Sequence, residues 1–521
     1  MKKFLIGLLI LIVLLGAAAI YLNTYLENQL KGIIENELPQ SLSLEYKDLE
    51  IDSWQGNASL SNATVRINIT DTVPKSEVKN ATVKLTGFNH WTYFKSKDIY
   101  FNEVKIHADT LTHYRQPKKK EQKKSKDKDS LNNPIAAEKL DRKFKIKDFQ
   151  LTADYIQILK PESAEVALRT AHFDFSLKNV TPAQSQRILR PFEYEDVLIK
   201  TDSLYFKMNA FDALKIGHLE WNGTALELLE TQLLTEVSRS RLSELIDKER
   251  DHVNFQIKRL HFKDLKYGQN EGKFFFNSPK LTLDTPALNI YRDKRVADDY
   301  TTKPLYSKML RELQFDLMID TIQIQNGAIL YTERVNNEAE AGQLQFDQLS
   351  ATLTNVGNTY NSGEKKTAIA IDARFMQHAP ITIDWDFDIN DPQDKFKLIG
   401  TLSHLPANEL EAFTGPNLGV EMTGNVARTY FTIYGTDYSS HIDMQMTYDD
   451  FKVSILNKEK KRKKWLVSTL ANIFIAKTSK NEEGGFKEGS GDVNRDQNKS
   501  FFNYLWLNLK EGMLKTVTAL D

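Results

Sequence analysis

The chain has 521 residues, 69 Lys and Arg against 70 Asp and Glu, a net charge of -1 and no cysteine. Without thiols there is no disulfide framework, no Cys-ligated zinc or iron–sulfur centre and no cysteine nucleophile. A near-neutral chain also lacks the basic surface on which nucleic-acid binding depends, and a mean hydropathy of -0.46 rules out several apolar membrane spans.

Residues 1–22 hold the strongest single signal. FLIGLLILIVLLGAAAIYL, residues 4–22, is 19 residues without a charge, close to the thickness of a bilayer's hydrocarbon core at about 1.5 Å per residue. Lys2 and Lys3 precede it, and basic flanks stay in the cytoplasm, so a single-pass signal-anchor with the body outside is expected. A cleaved signal peptide is the alternative, with Ala17, Ala18 and Ala19 supplying the small residues of a cleavage site. Residues 23–39 follow as a juxtamembrane amphipathic helix, with Leu26, Leu30, Ile33, Ile34 and Leu38 on one face and Pro39 as its stop.

Beyond residue 40 the hydrophobic period changes from about 3.6 to 2. Residues 40–115 read as a first β module, in which Val65, Ile67 and Ile69 alternate with polar neighbours. Residues 116–135 interrupt it. QPKKKEQKKSKDKDS, residues 116–130, contains no apolar side chain and is expected to be a disordered loop, with contact to anionic head groups as its functional version. Residues 136–456 resume the alternation. Leu313, Phe315, Leu317 and Ile319 form one apolar set, and Ile381, Ile383, Trp385, Phe387 and Ile389 form another, opposed by Asp384, Asp386 and Asp388. Two strands change phase midway, Ile319 being followed by Ile322 and Tyr448 by Phe451; such shifts signal bulges. Short helices are expected over residues 240–250 and 304–310.

Residues 457–521 close the chain with amphipathic helices. Lys460, Lys461, Arg462, Lys463 and Lys464 precede Trp465 and an apolar stripe, a combination that fits a membrane surface or a helix packed on the sheet end. A Gly-rich linker is expected over 484–491, and a last helix from Ser500. The fold class is therefore mainly β: a transmembrane helix, then a long, curved antiparallel sheet shaped as a groove, with few short helices. No second layer of long amphipathic helices is evident to cover its apolar face, which acyl chains can then occupy.

Catalytic motifs are missing. There is no phosphate loop, nucleophile elbow, H-E-x-x-H helix or dinucleotide turn; no enzymatic activity, cofactor or metal is expected. His107 and His113 read as surface imidazoles, and the three aspartates of residues 384–388 as a wet sheet face rather than a calcium site.

One phrase recurs. Trp54-Gln55-Gly56-Asn57-Ala58-Ser59-Leu60-Ser61-Asn62-Ala63-Thr64-Val65 is echoed by Ile322-Gln323-Ile324-Gln325-Asn326-Gly327-Ala328-Ile329-Leu330-Tyr331, followed by Leu344-Gln345-Phe346-Asp347-Gln348-Leu349-Ser350-Ala351-Thr352-Leu353-Thr354-Asn355-Val356. With the anchor and short helix before it, this resembles the AsmA-like family of bacterial envelope proteins; residues 303–333 and 501–510 look closest to its Bacteroidota members. The resemblance implies an inner-membrane anchor, a taco-shaped periplasmic sheet and lipid cargo in outer-membrane biogenesis. About 20 strands at about 4.8 Å reach only about 95 Å, so an envelope partner or an oligomer is implied as well. A structural scaffold with a closed sheet and no lipid is the competing reading, and a hydrolase with an unrecognised site ranks last.

Overall fold

The computed structural model describes residues 21–29, 31–32, 41–67, 75–115, 143–160, 165–183, 192–270, 272–338, 340–360, 365–455 and 485–518. The expected anchor, the lysine-rich stretch and the basic cluster Lys460–Trp465 fall outside them, apart from Tyr21 and Leu22 at the anchor's end. Among the described residues no helix is long and apolar enough to cross a membrane.

The chain is mainly β and divides into two compact units, residues 1–208 with 215–223, and residues 209–214 with 224–521. The division lies near residue 210, not at the lysine-rich stretch.

The first unit contains β1 (Leu42–Glu45), β2 (Asp48–Asp52), β3 (Asn57–Ile67), β4 (Ser76–Thr86), helix α1 (His90–Ser96), β5 (Ile99–Tyr114), β6 (Phe144–Leu159), β7 (Val166–Pro182), β8 (Phe192–Glu193), β9 (Asp196–Thr201), β10 (Ser203–Lys207) and β12 (His218–Trp221). β11 (Asp212–Ile216) is divided between the units. Strands β3 to β7 are neighbours in chain order, β1 and β2 share the outer edge of β3, and β9 and β10 share that of β7.

The second unit contains β13 (Leu226–Thr235), α2 (Arg239–Leu245), β14 (Asp251–Lys263), β15 (Lys266–Asn270), β16 (Lys273–Asp293), α3 (Tyr306–Arg311), β17 (Asp316–Arg334), β18 (Gly342–Gly357), β19 (Thr367–Phe375), β20 (Ala379–Phe387), β21 (Phe396–Pro406), α4 (Glu411–Leu418), β22 (Val420–Gly435), β23 (Ser439–Ile455), β24 (Lys487–Asn494) and α5 (Phe501–Thr518).

Two pairs depart from the expected antiparallel meander. β5 pairs with β6, and β16 with β17, in parallel. Parallel neighbours need a crossover of a dozen or more residues, which residues 115–143 and 294–315 supply. The lysine-rich stretch is thus part of a crossover connection.

Each unit carries a line of left-handed residues in mid-strand. In the first, Asn62 and Asn80 sit in mid-strand with φ near +51°, and His172 of β7 has φ 49°. The register between β3 and β4 steps at this level, on either side of the pair Ala63 and Ala81. In the second, Glu230, Thr285, Asn326 and Gln348 have φ of 50–52° on β13, β16, β17 and β18. A residue in the left-handed region advances the side-chain phase by one, so apolar residues before and after it stay on the same face. The phase changes noted after Ile319 and Tyr448 coincide with Asn355, opposite Asp320 on the neighbouring strand, and with Asp450, with φ of 55° and 46°. Asn62, Asn326 and Asn355 of the recurring phrase are left-handed, which their short side chains tolerate and branched ones do not.

On the apolar side of the first line lies a row of alanines, Ala63, Ala81, Ala108 and Ala153, cross-strand neighbours on β3 to β6. All four are at most 5% exposed. Leu44, Tyr46, Leu60 and Val78 flank the first three and pack over them, so the strands bend about this row and only small side chains fit in the crease.

A direct check follows. Asn326→Val places a β-branched residue at a left-handed position and is expected to cost about 1–3 kcal/mol, whereas Asn326→Gly retains near-native stability. Thermal unfolding of both variants reads the difference; equal melting temperatures would contradict it.

Candidate functional site

The apolar rows of the first unit are built by register. Leu60, Val83, Ile106, Leu151, Phe175, Ile199 and Trp221 are successive cross-strand partners from β3 to β12, and Ala58, Leu85, Val104, Phe149, Leu177 and Val197 form a second row two residues away. Two-residue spacing puts both rows on one face. Leu60, Val83, Ile106, Leu151, Phe175 and Ile199 are each only half-buried. Across the crease, Leu44, Val65, Val78, Leu111 and Ile156 continue as a third row. Among the described residues, the helices of this unit are residues 21–29 with 31–32, and α1; none lies over these rows, since Asn23 meets Ser53 and α1 follows Phe88 at the strand ends.

In the second unit one row runs further: Leu226, Phe262, Leu281, Ile322, Leu353, Ile369, Trp385, Leu398, Ile433 and Ile442 are consecutive partners from β13 to β23. Its burial changes along its length. Phe262, Ile322, Leu353 and Ile369 are half-buried, whereas Leu398, Ile433 and Ile442 are 2%, 1% and 0% exposed. The cause is α5, which lies on β23 and β24. Phe501 stacks on Trp385 with ring centroids 4.7 Å apart, and Tyr504 meets Phe396 edge-on.

This layer was not anticipated, and it explains a second correction. Residues 487–491, expected to lie within the linker over 484–491, belong to β24. A Cβ at Gly489 would stand 2.3 Å from the Thr516 backbone nitrogen, and one at Gly491 would stand 2.7 Å from Glu511 Cγ. The glycines are there so that α5 can approach.

The expected groove residues therefore divide. Leu317 and Ile319 lie on β17, with Ile319 buried, but Leu313 and Phe315 precede the strand in the turn after α3, and Phe315 is exposed. Ile381 and Ile383 are half-buried on β20. Trp385, Phe387 and Ile389 belong to the core beneath α5 and α3, where Tyr306 also meets Trp385. Only a 10 Å³ cavity remains there. Sequence reasoning missed the face formed by Ile106, Leu151 and Phe175; the alternation Val104, Ile106, Ala108 carried its signal.

Charged groups pair rather than converge. Among the described residues, one trio of ligating side chains comes together, His107, Asp109 and Asp154, within 4.8 Å. His107 Nδ1 is 3.0 Å from Thr152 Oγ1, and Asn80 donates to Asp109 at 2.6 Å, so the trio lies on the polar side of the crease with hydrogen bonds already made. Asp386 pairs with Lys366 at 2.9 Å, while Asp384 is exposed. Buried Glu249 gathers Lys294 at 2.8 Å and Lys499 at 3.6 Å, and Lys499 also meets Asp298 at 2.9 Å. This cluster anchors the segment leading into α5. No protein family and no curated protein matches the chain.

Asp293 gives the pH test. Hydrogen bonds from Arg295 hold its carboxyl at about 2, against the upward push of burial, and Ser243 of α2 also donates to it. The folded value lies below the ordinary 3.8, so the stabilisation is complete above about pH 4 and is lost as pH falls through about 2. It amounts to about 2 kcal/mol. Asp293→Asn is expected to lower stability at pH 7 by that order and to flatten the acid limb between pH 4 and 2; superimposable acid limbs in a pH titration of unfolding would contradict this.

Proposed function

We propose that the chain is an AsmA-like, single-pass protein of the bacterial inner membrane, N-terminus in the cytoplasm and body in the periplasm, whose apolar β face binds or conducts lipid acyl chains in envelope biogenesis without catalysing a reaction. The observation that carries the reading is the half-buried row Leu60, Val83, Ile106, Leu151, Phe175 and Ile199 of the first unit, which crosses β3 to β9 with no covering helix among the described residues. A sheet's apolar face needs a second layer. An acyl chain can serve as one, each buried methylene contributing about 0.8 kcal/mol. The unsubstituted anchor sequence of residues 4–22 and the recurring strand phrase support the membrane and family parts of the proposal.

The scaffold reading has one observation in its favour, the layer that α5 forms over β23 and β24. It limits the proposed lipid path to the first unit and to β13–β19 of the second.

Lipid extraction from the purified full chain, followed by mass spectrometry, is the test. Wild type is expected to retain phospholipid. Ile106→Asp combined with Phe175→Asp places carboxylates under the acyl chain, at a cost of at least about 2 kcal/mol, and should reduce bound lipid more than about tenfold. Thr152→Asp, on the opposite face, should not. Wild-type protein free of lipid would overturn the proposal.

A further inference from the structure

At one end of the first unit, aromatic side chains stand out from the protein. Trp54 is 72% exposed, Trp91 75% and Phe94 77%. Their positions are built, not accidental. Asn89 caps α1 by accepting from the Thr92 amide at 2.9 Å, and Phe88 packs against Tyr93 and Phe101 at 5.5 and 5.4 Å. Trp91 and Phe94, three residues apart, share one side of the helix. The β2–β3 turn is tied to the same place. The Phe88 amide donates to Gly56 O at 2.9 Å, and Gly56, at φ +70°, approaches Phe88 so closely that a Cβ would lie 2.6 Å from its oxygen. Trp54, two residues before Gly56, therefore projects beside α1. Lys95 and Lys97 are exposed on the helix and its cap.

Asn23 Oδ1 accepts from the Ser53 amide at 2.7 Å. Asn23 is the first residue after the apolar run of residues 4–22, so the Trp54 turn is held where that run ends. Tyr21 and Tyr25 beside it are 74% and 50% exposed. Tryptophan, tyrosine and lysine at the end of an apolar span are the side chains that settle among lipid head groups. A protein partner would be expected to find a more continuous apolar patch than isolated rings separated by lysines.

We propose that Trp54, Trp91 and Phe94, with Lys95 and Lys97, form a foot that inserts into the interfacial region of the bilayer holding residues 4–22. The foot rests on the anchor part of the proposed function and adds to it a second membrane attachment. That attachment fixes the first unit's orientation on the bilayer, with its strand ends beside the head groups.

The test uses the full chain in nanodiscs of phosphatidylcholine and phosphatidylglycerol, with and without bromine on the upper acyl carbons, reading tryptophan emission. Bromine-dependent quenching is expected in wild type, at least half of it lost in Trp54→Ser/Trp91→Ser, and increased in Phe94→Trp. All three positions are exposed, and circular dichroism checks that the fold is kept. Quenching unchanged by the double variant, with none added by Phe94→Trp, would overturn the foot while leaving the anchor intact. Shielding of Trp54 and Trp91 only in a lipid-independent oligomer would assign the patch to a second copy and overturn it too. Failure of the chain to co-elute with the discs would remove the anchor, and the foot with it.

Discussion

The structure depends on one constraint: a strand that bends must not turn its apolar side chains over to the other face. Side chains alternate along a strand, so any irregularity of one residue exchanges the faces. In this protein the irregularity occurs at one level on neighbouring strands, and the sequence shifts its hydrophobic phase at the same place. Asn80 and His172 do this in the first unit, Thr285, Asn326 and Gln348 in the second. The apolar face is then continuous on both sides of the crease, as Val78 before and Val83 after Asn80 show through their partners Leu111 and Ile106. The alanine row is the price of the bend, because flanking side chains close over it. Asparagine in the recurring strand phrase has the same origin: it is the residue that can occupy the left-handed position without glycine's loss of entropy.

What covers the face differs along the chain. In the second unit α5 seals β23 and β24, and three glycines, Gly489, Gly491 and Gly512, let helix and strands approach. Polar contacts fix the helix's register, with Ser440 donating to Asn508 at 2.8 Å, and Arg495, fully buried, pairing with Asp437 at the end of the sheet. Burial, against the downward pull of Ser440 and Arg495, leaves Tyr504 a phenol with its pKa raised to about 12, neutral throughout the physiological range. The half-buried row from Leu60 to Ile199 in the first unit has no such helix over it among the described residues. The same alternating pattern thus builds a protein core in one place and, in the reading proposed here, a lipid-facing surface in another.

Much of this was legible in the order of residues, and the remainder was not for identifiable reasons. Alternation such as that of Ile381 to Phe387 announces a strand locally, and the displaced phase between Tyr448 and Phe451 locates a bulge. The last helix was visible from Phe501, Leu505 and Leu509. Its role as a second layer was not, because an amphipathic stripe shows that a face is buried without showing against what. Gly489 and Gly491 read as linker since glycine usually interrupts strands; only the helix behind them explains their presence. The parallel pairing of β5 with β6 and of β16 with β17 joins strands across 29- and 22-residue connections, residues 115–143 and 294–315, and nothing in local periodicity encodes partner direction. Leu313 and Phe315 continued the alternation of β17 by chance into the turn that follows α3.

The central claim is that one face of the first unit is a lipid surface and the other is not, with the crease keeping them apart. Photo-cross-linking with benzoylphenylalanine at Leu151 and, separately, at its neighbour Thr152 in the membrane-reconstituted full chain addresses it directly. The account predicts phospholipid adducts from position 151 and none from position 152. Equal labelling at both positions, or labelling at neither, would contradict it.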